Sequence, residues 1–285
     1  MINIVLVTGA SRGIGLETAK LFSKKGYKVI GTSRRDFNLS EIIEDDSAIS
    51  VQLDLTSRKS INDLFKDLKS RNLLPSVLVN NAGILRDTIF HKMSEAQFDL
   101  VLDVHLKGSF NMSRACAPHF RAQQGGCFVH MTSTSALIGN LAQANYMAAK
   151  LGVVGLSKSI ALDMSRYNVT SNCISPFAYS RLIGTLPSET EEQQARLEKI
   201  KQMTPAKIAP LATALFGDNA ADVTGQIFAV RNNEIFLMSQ PRPIRSVQTS
   251  DGWTPETVNS RVFEAFRGSM YGLDVTADVF TWDPV

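Results

Sequence analysis

Up to Val230 the chain alternates short apolar runs with amphipathic stretches of helix length. The apolar runs predict strands at Ile4–Thr8, Lys28–Thr32, Ile49–Leu53, Val77–Asn80, Cys127–Met131, Val169–Ile174 and Ile227–Val230. Between them, helical spacing of apolar residues predicts helices at Ile14–Lys25, Ser57–Lys69, Glu95–Ala122, Ala144–Arg166 and Ala206–Phe216. Near-continuous apolar strands joined by helices belong to a parallel sheet covered on both faces. Such an α/β sheet takes its ligands at the carboxyl ends of the strands. Thr8, Asn80, Ser133 and Pro176 each follow a predicted strand, so the pattern puts all four on that edge.

Two segments depart from this rhythm. Leu182–Met203 is strongly charged with a helical pattern, and Ser188 with Glu191 resembles a capping box. A solvated surface helix would read this way, and so would a mobile lid over the substrate. Its place directly after the strand end at Ile174–Pro176 favours the lid. Beyond Val230 the period breaks: an apolar run at Glu234–Met238, the interrupted QPRPIR, a helix signal after Pro255, then Phe280 and Trp282. This tail is too apolar for disorder, so it is expected to pack on the core or on a second subunit. The expected organisation is one unit over residues 1–230, with the lid at 182–203, and a C-terminal extension over 231–285.

Composition narrows the function classes. A chain of 285 residues with 44% hydrophobic and 20% charged residues suits a soluble α/β core with an appendage. The net charge of +3 is spread over scattered Lys and Arg, which argues against nucleic acid as a partner. Cys116, Cys127 and Cys173 show no metal-ligand spacing and read as buried free thiols, and the four histidines form no zinc-like pair, so no metal is expected. The first strand begins almost at the first residue, and no apolar run approaches the roughly 20 residues of a membrane span. A cytoplasmic protein with no membrane partner is the expectation.

Candidate chemistry concentrates on the strand-end edge. Tyr146 and Lys150 in QANYMAAK share one helix face, so phenol and ammonium point into the same space. A cation there favours the phenolate, lowers the phenol's pKa and makes Tyr146 a plausible acid/base. Ser133 is placed to hydrogen-bond a carbonyl or hydroxyl, and the three together read as a hydride-transfer site. Upstream, TGASRGIG at Thr8–Gly15 follows the first strand. Gly9, Gly13 and Gly15 permit a tight turn and close backbone approach, and the following helix N-terminus favours a phosphate. Asp54 is suited either to accept from an adenine amino group or to cap the next helix. Asn81, Ala82 and Gly83 suit close packing against a cofactor, or an ordinary turn.

TGASRGIG, Asp54–Leu55, NNAG, Ser133 with Tyr146-x-x-x-Lys150, and Asn172 to Pro176 occur in the order of one family. Over roughly Ile4 to Val230 the chain resembles the short-chain dehydrogenases/reductases, whose fold is a Rossmann-type doubly wound parallel sheet. The resemblance implies that Tyr146 transfers the substrate proton, Ser133 orients the carbonyl, and Lys150 holds the nicotinamide ribose and lowers the tyrosine pKa. It implies that Gly9, Ser11, Arg12, Gly13, Ile14 and Gly15 surround pyrophosphate and adenosine. Asp54, Leu55, Asn81, Ala82 and Gly83 would line adenine and ribose, with Pro176 and Ser180 or Arg181 near the carboxamide. A homodimer or homotetramer acting on a small carbonyl or alcohol substrate is also implied.

Three departures stand out: His105 where the family often has Asn, Phe177 where a glycine usually follows the proline, and the long tail. His105 is either a satisfied structural residue or a member of a proton relay. VHLKGSF, MTSTS and GNLAQANYMAAKLG resemble the (3R)-hydroxyacyl-CoA dehydrogenase branch, also classed with 17β-hydroxysteroid dehydrogenases. A 3-hydroxyacyl or 3-oxoacyl thioester is therefore the first expected substrate, with a steroid or other bulky ketone as the alternative. A non-catalytic NADP-binding regulator is disfavoured, because Ser, Tyr and Lys are all present. At the end of the second strand, Ser33 is followed by Arg34 and Arg35, with Arg12 nearby and no acidic residue for a ribose hydroxyl. Arginine suits a 2′-phosphate, so NADP is expected, with NAD as the other option.

Overall fold

A computed structural model describes residues 3–178 and 190–284. Eight strands form one sheet in the order β3-β2-β1-β4-β5-β6-β7-β8. They are β1 (Ile4–Thr8), β2 (Lys28–Ser33), β3 (Ile49–Gln52), β4 (Val77–Asn80), β5 (Gly126–Met131), β6 (Val169–Phe177), β7 (Ile227–Arg231) and β8 (Glu234–Leu237). All neighbours pair in parallel except β7 and β8, which form an antiparallel hairpin. The order runs outward in both directions from β1 and β4, and this reversal opens a crevice at their carboxyl ends.

Alternation along the strands builds two cores. Val5, Val7, Val29 and Val129 face one side, where they meet Ala19 and Phe22 of α1 (Gly13–Lys24) and Ala212 of α9 (Ala209–Ala214). Leu6, Ile30, Leu78 and Phe128 face the other. There they meet Ile61, Leu64 and Leu68 of α3 (Arg58–Ser70) and Met112, Cys116 and Phe120 of α5 (Gly108–Gln123). Burying each of these larger side chains stabilises the fold by roughly 2 kcal/mol. The short helix α2 (Leu39–Ile43), absent from the sequence expectation, drops Leu39 into the first core.

The helix expected over Glu95–Ala122 is interrupted. It runs as α4 (Glu95–Leu102), a widened π-turn at Asp103–Lys107, then α5. Ser94 and Gln97 close a reciprocal capping box at its start. Strand β6 continues three residues past the expected Ile174, because Pro176 and Phe177 pair with Val230 and Arg231 of β7. Two helices follow β5, α6 (Thr134–Leu137) and α7 (Ala144–Met164).

Part of the segment expected to be a lid is helical: α8 spans Glu191–Lys201. Ser188 and the start of that segment lie outside the described residues. The apolar run at Glu234–Met238 becomes β8 and closes the sheet edge beside β7. The tail then continues through α10 (Pro255–Thr257), a π-turn at Val258–Val262, α11 (Phe263–Arg267) and α12 (Thr276–Val279). Its end returns to the core: Thr276 N donates to the Gly139 carbonyl (3.0 Å), and the Phe280 ring packs against Phe177 and Phe236. Among the described residues, no helix is long and apolar enough to cross a membrane.

Candidate active site

The crevice between β1 and β4 is held by one threonine. Thr8 Oγ1 accepts from Asn81 N (2.9 Å) and Ala82 N (3.1 Å) and donates to the Val79 carbonyl (3.3 Å). Asn81 Nδ2 donates back to the Thr8 carbonyl (2.9 Å). This pins NNAG against the glycine loop. Gly9 has φ +70°, and a Cβ there would stand 2.9 Å from Ala82 Cα. A Cβ on Gly15 would stand 2.5 Å from Asn81 Nδ2. Both positions demand glycine for close packing of two backbones. Helix α1 starts at Gly13 with Arg12 as its cap residue and no side-chain cap. Its first N–H groups and positive dipole end therefore favour an anion, as a dinucleotide pyrophosphate requires. Ser11 and Ile14 are half-buried and Arg12 is exposed on this loop.

On the β2 side, Ser33 Oγ accepts from Arg35 N (3.2 Å), and the Arg34 carbonyl accepts from Gln52 Nε2 (3.1 Å). Arg12, Arg34 and Arg35 are exposed, with no carboxylate in salt-bridge contact among the described residues. Asp54 does not cap the next helix. Its Oδ1 accepts from Thr56 N (2.9 Å) and Thr56 Oγ1 (2.8 Å), while Ser57 is the cap of α3. Leu55 is buried in the second core, beside Gly108 of α5.

On the β5 side, Lys150 is stapled to the strand end. Its Nζ donates to the Met131 carbonyl (2.5 Å), and Thr132 Oγ1 donates to the Lys150 carbonyl (3.0 Å). The ammonium stands 5.7 Å from the centre of the Tyr146 ring. Ser133 opens α6, its Oγ accepting from Ser135 N (3.2 Å). Asn145, fully buried, was missed by the sequence reading. Its Nδ2 donates to the carbonyls of Arg86 (3.0 Å) and Gln97 (3.1 Å), and its Oδ1 accepts from Tyr146 N (2.7 Å). It ties the start of α7 to the loop after β4 and so fixes where Tyr146 stands. A polar residue on the inward face beside the tyrosine was the only signal available.

His105 sits in the π-turn, a helix irregularity frequent at functional sites. Its Nε2 lies 3.0 Å from Ile84 N and 2.8 Å from the Ile84 carbonyl, one of which is its partner according to tautomer. The ring meets the Tyr146 ring edge-on, with centres 5.3 Å apart. A Cβ on Gly83 would stand 2.5 Å from His105 Cε1, so this glycine makes room for the imidazole. Pro176 is half-buried at the end of β6, and Ser180 and Arg181 lie outside the described residues.

Electrostatics differ from the sequence expectation in one respect. Burial raises the Tyr146 pKa, contact with Ser133 opposes this, and Asp87 adds to the rise. Lys150 was expected to lower it; desolvation of the phenolate is instead the largest influence, and the net shift is upward. Burial lowers Lys150 itself to about 8. At neutral pH the site therefore holds a protonated phenol beside a mostly charged lysine.

His105 is lowered from 6.5 to about 3, by burial first and then by Lys150, against its bond to Ile84. His130, fully buried on β5 with its Nδ1 3.2 Å from Asn80 Nδ2, is lowered to about 3 by burial and by Lys150. A histidine with a depressed folded pKa contributes stability that is full above 6.5 and lost as pH falls through 6.5 toward 3. Between pH 7 and pH 5 each is expected to remove about 2 kcal/mol of unfolding free energy. Urea titrations at the two pH values check this, with His130→Asn expected to remove about half of the combined effect. A stability that stays flat over that range would count against neutral buried imidazoles.

The short chain dehydrogenase family model matches residues 3–181. The chain belongs to the short-chain dehydrogenase family. Among these dehydrogenases, it is 34% identical over 238 residues to the peroxisomal hydratase-dehydrogenase-epimerase of Saccharomyces cerevisiae, covering 79% of this chain and 25% of that protein. The chain thus spans about a quarter of that much longer relative. It is 31% identical over 234 residues to the 3-oxoacyl-[acyl-carrier-protein] reductase FabG of Thermotoga maritima, covering 80% of this chain and 95% of that protein. A crystal structure of a short chain dehydrogenase from Mycobacterium avium superposes with a TM-score of 0.81 at 27% identity, covering 95% of this chain and 96% of that one. The eight-stranded sheet is thus the Rossmann-like sheet of a short-chain dehydrogenase.

Proposed function

We propose that this short-chain dehydrogenase is an NADP(H)-dependent oxidoreductase that interconverts a secondary alcohol and a ketone, with a 3-hydroxyacyl or 3-oxoacyl thioester as substrate. One observation carries the reading: the Tyr146 phenol, its proton retained by burial, stands beside the Lys150 ammonium on the same edge as the glycine cradle. The cradle suits a dinucleotide, because Gly9 and Gly15 let the loop pack against Asn81 and Ala82, while Gly13 has open space beside it at the start of α1. The α1 N-terminus and Gly13 would meet the pyrophosphate, with Ser11, Arg12 and Ile14 around it. Asp54, Asn81, Ala82 and Gly83 would border adenine and ribose, and Arg34 with Ser33 would meet a 2′-phosphate. A nicotinamide held there would supply or take the hydride.

The chain's own residues handle the oxygen. Ser133 holds the carbonyl oxygen by a hydrogen bond. Tyr146 gives its proton to that oxygen in reduction and takes it back in oxidation. The phenolate left behind is stabilised by Lys150, whose ammonium is oriented by the Met131 carbonyl. His105 stays neutral and holds the edge of the tyrosine ring while gripping Ile84. Residues 182–203 are proposed as the lid.

Acyl thioesters come first because relatives named for 3-oxoacyl reduction and for a hydratase-dehydrogenase-epimerase both match about four-fifths of the chain. Exposed Phe110 on α5 and Leu151 and Leu162 on α7 support a homo-oligomer. Three buried, unpaired cysteines suit a reducing compartment, consistent with a cytoplasmic location.

The test is NADPH oxidation with acetoacetyl-CoA, NADH run in parallel. Turnover with NADPH at least tenfold above NADH is expected. Turnover of a steroid ketone and none of the thioester would transfer the substrate assignment to bulky ketones.

A further inference from the structure

The two departures from the family pattern at Phe177 and at the tail meet in space. Phe177, at the end of β6, packs edge-on against Phe280, with ring centres 4.9 Å apart. Phe280 also meets Phe236 of β8 (5.3 Å) and Trp282 (5.5 Å). Such edge-on aromatic pairs bind beyond their area alone. A buried arginine secures the cluster. Arg231 pairs with Glu234 (3.2 Å), donates to the Trp282 carbonyl and lies over the rings of Phe280 and Trp282. Glu234 in turn accepts from Trp282 Nε1 (2.7 Å).

The tail is equally tied to the loop between Ser133 and Tyr146. Thr276 donates twice to the Gly139 carbonyl, from N (3.0 Å) and from Oγ1 (3.2 Å). A Cβ on Gly139 would collide with the Asp274 carbonyl oxygen, so the two backbones touch only because residue 139 is glycine. Asp283 reaches α8 through Lys199 (2.8 Å). Between these anchors lies a cavity of about 260 Å3, bordered by Asn140, Phe177, Ile200, Met203, Phe280 and other tail residues. Asn140 hydrogen-bonds Gln143 (3.0 Å), three residues before Tyr146. The cavity is therefore walled by the loop that leads into the candidate acid/base. It is smaller than a typical whole-ligand pocket, and Arg231, the charged side chain on its wall, is already engaged by Glu234 and the Trp282 carbonyl.

We propose that the C-terminal tail completes, within its own chain, a subsite for the apolar end of the substrate, with Phe280 and Phe177 setting its size. This rests on the reading of Tyr146 as the acid/base for a ketone. A pocket of fixed size discriminates each added methylene by about 10- to 200-fold. Phe280→Ala opens one wall, while Phe280→Leu retains an apolar seat for the tail.

The experiment compares wild type, Phe280→Leu and Phe280→Ala on straight-chain 3-oxoacyl-CoA thioesters of rising length, from acetoacetyl-CoA upward, with NADPH. The ratio of kcat/KM for long over short chains is expected to rise at least tenfold in Phe280→Ala and by less in Phe280→Leu. A second readout needs no turnover: in a Trp253→Phe background Trp282 is the sole tryptophan, and its emission is expected to change saturably with the same thioesters. Wild-type turnover with an unchanged length ratio in both variants and no response from Trp282 overturns the subsite and leaves the acid/base reading standing. A lowered Tm with an unchanged ratio also overturns it, since the tail would then be only structural. Absence of wild-type turnover with any ketone overturns the acid/base reading, and the subsite falls with it.

Discussion

Tyr146→Phe is expected to lower kcat about a thousandfold while the protein remains folded and binds NADPH with unchanged affinity. The substitution removes one oxygen. The backbone of residue 146 stays anchored through Asn145, and the ring keeps its edge contact with His105. What is lost is the proton donor, and general acid–base groups contribute roughly a hundred- to ten-thousandfold to rate. A thousandfold corresponds to about 4 kcal/mol of barrier. Steady-state NADPH oxidation measures the loss, and NADPH fluorescence titration measures retained binding. Activity within tenfold of wild type would remove Tyr146 from the proposed chemistry and leave the proton to another group.

Reversing the charge at Arg34 is expected to exchange the cofactor preference. Arg34 stands exposed just past the end of β2, its carbonyl held by Gln52 Nε2 and its guanidinium without a carboxylate in salt-bridge contact among the described residues. A charge-assisted hydrogen bond to a phosphate contributes roughly 1.5–3 kcal/mol, and a carboxylate in its place repels the phosphate while accepting from a ribose hydroxyl. Arg34→Asp should therefore shift the ratio of kcat/KM for NADPH over NADH toward NADH by about a hundredfold. Arg35→Ala, whose backbone N is engaged by Ser33, serves as the comparison and should change the ratio by less than fivefold. If the two results exchange places, the phosphate contact belongs to Arg35. If neither variant alters the ratio, the arginines face only solvent and the NADP assignment fails.

The elements with strong local patterns were legible before any coordinates. Strands β1 and β4 and the starts of β3, α4 and α7 fall where periodicity puts them, because strand and helix repeats act over a few residues. The weaker elements were not. Helix α2 has five residues and no repeat to read, and the π-turn at Asp103–Lys107 leaves the apolar pattern nearly undisturbed. β8 becomes a strand through its partner β7, which makes its identity a matter of pairing rather than of propensity.

The site divides along the same line. The sequence by itself determined a parallel sheet, the strand-end edge that carries the candidate residues, the glycine loop and the Tyr146–Lys150 face, since each follows from spacing within one segment. Only the tertiary structure decided which groups those residues meet. Gly83 faces His105, Gly139 faces Asp274, Asn145 holds the loop after β4, and Phe177 receives Phe280 from the far end of the chain. It also reversed the expected shift of Tyr146, because desolvation depends on everything packed around the phenol and is the largest influence on it. Local periodicity is written in neighbouring residues; burial and long-range pairing exist only once distant segments have come together.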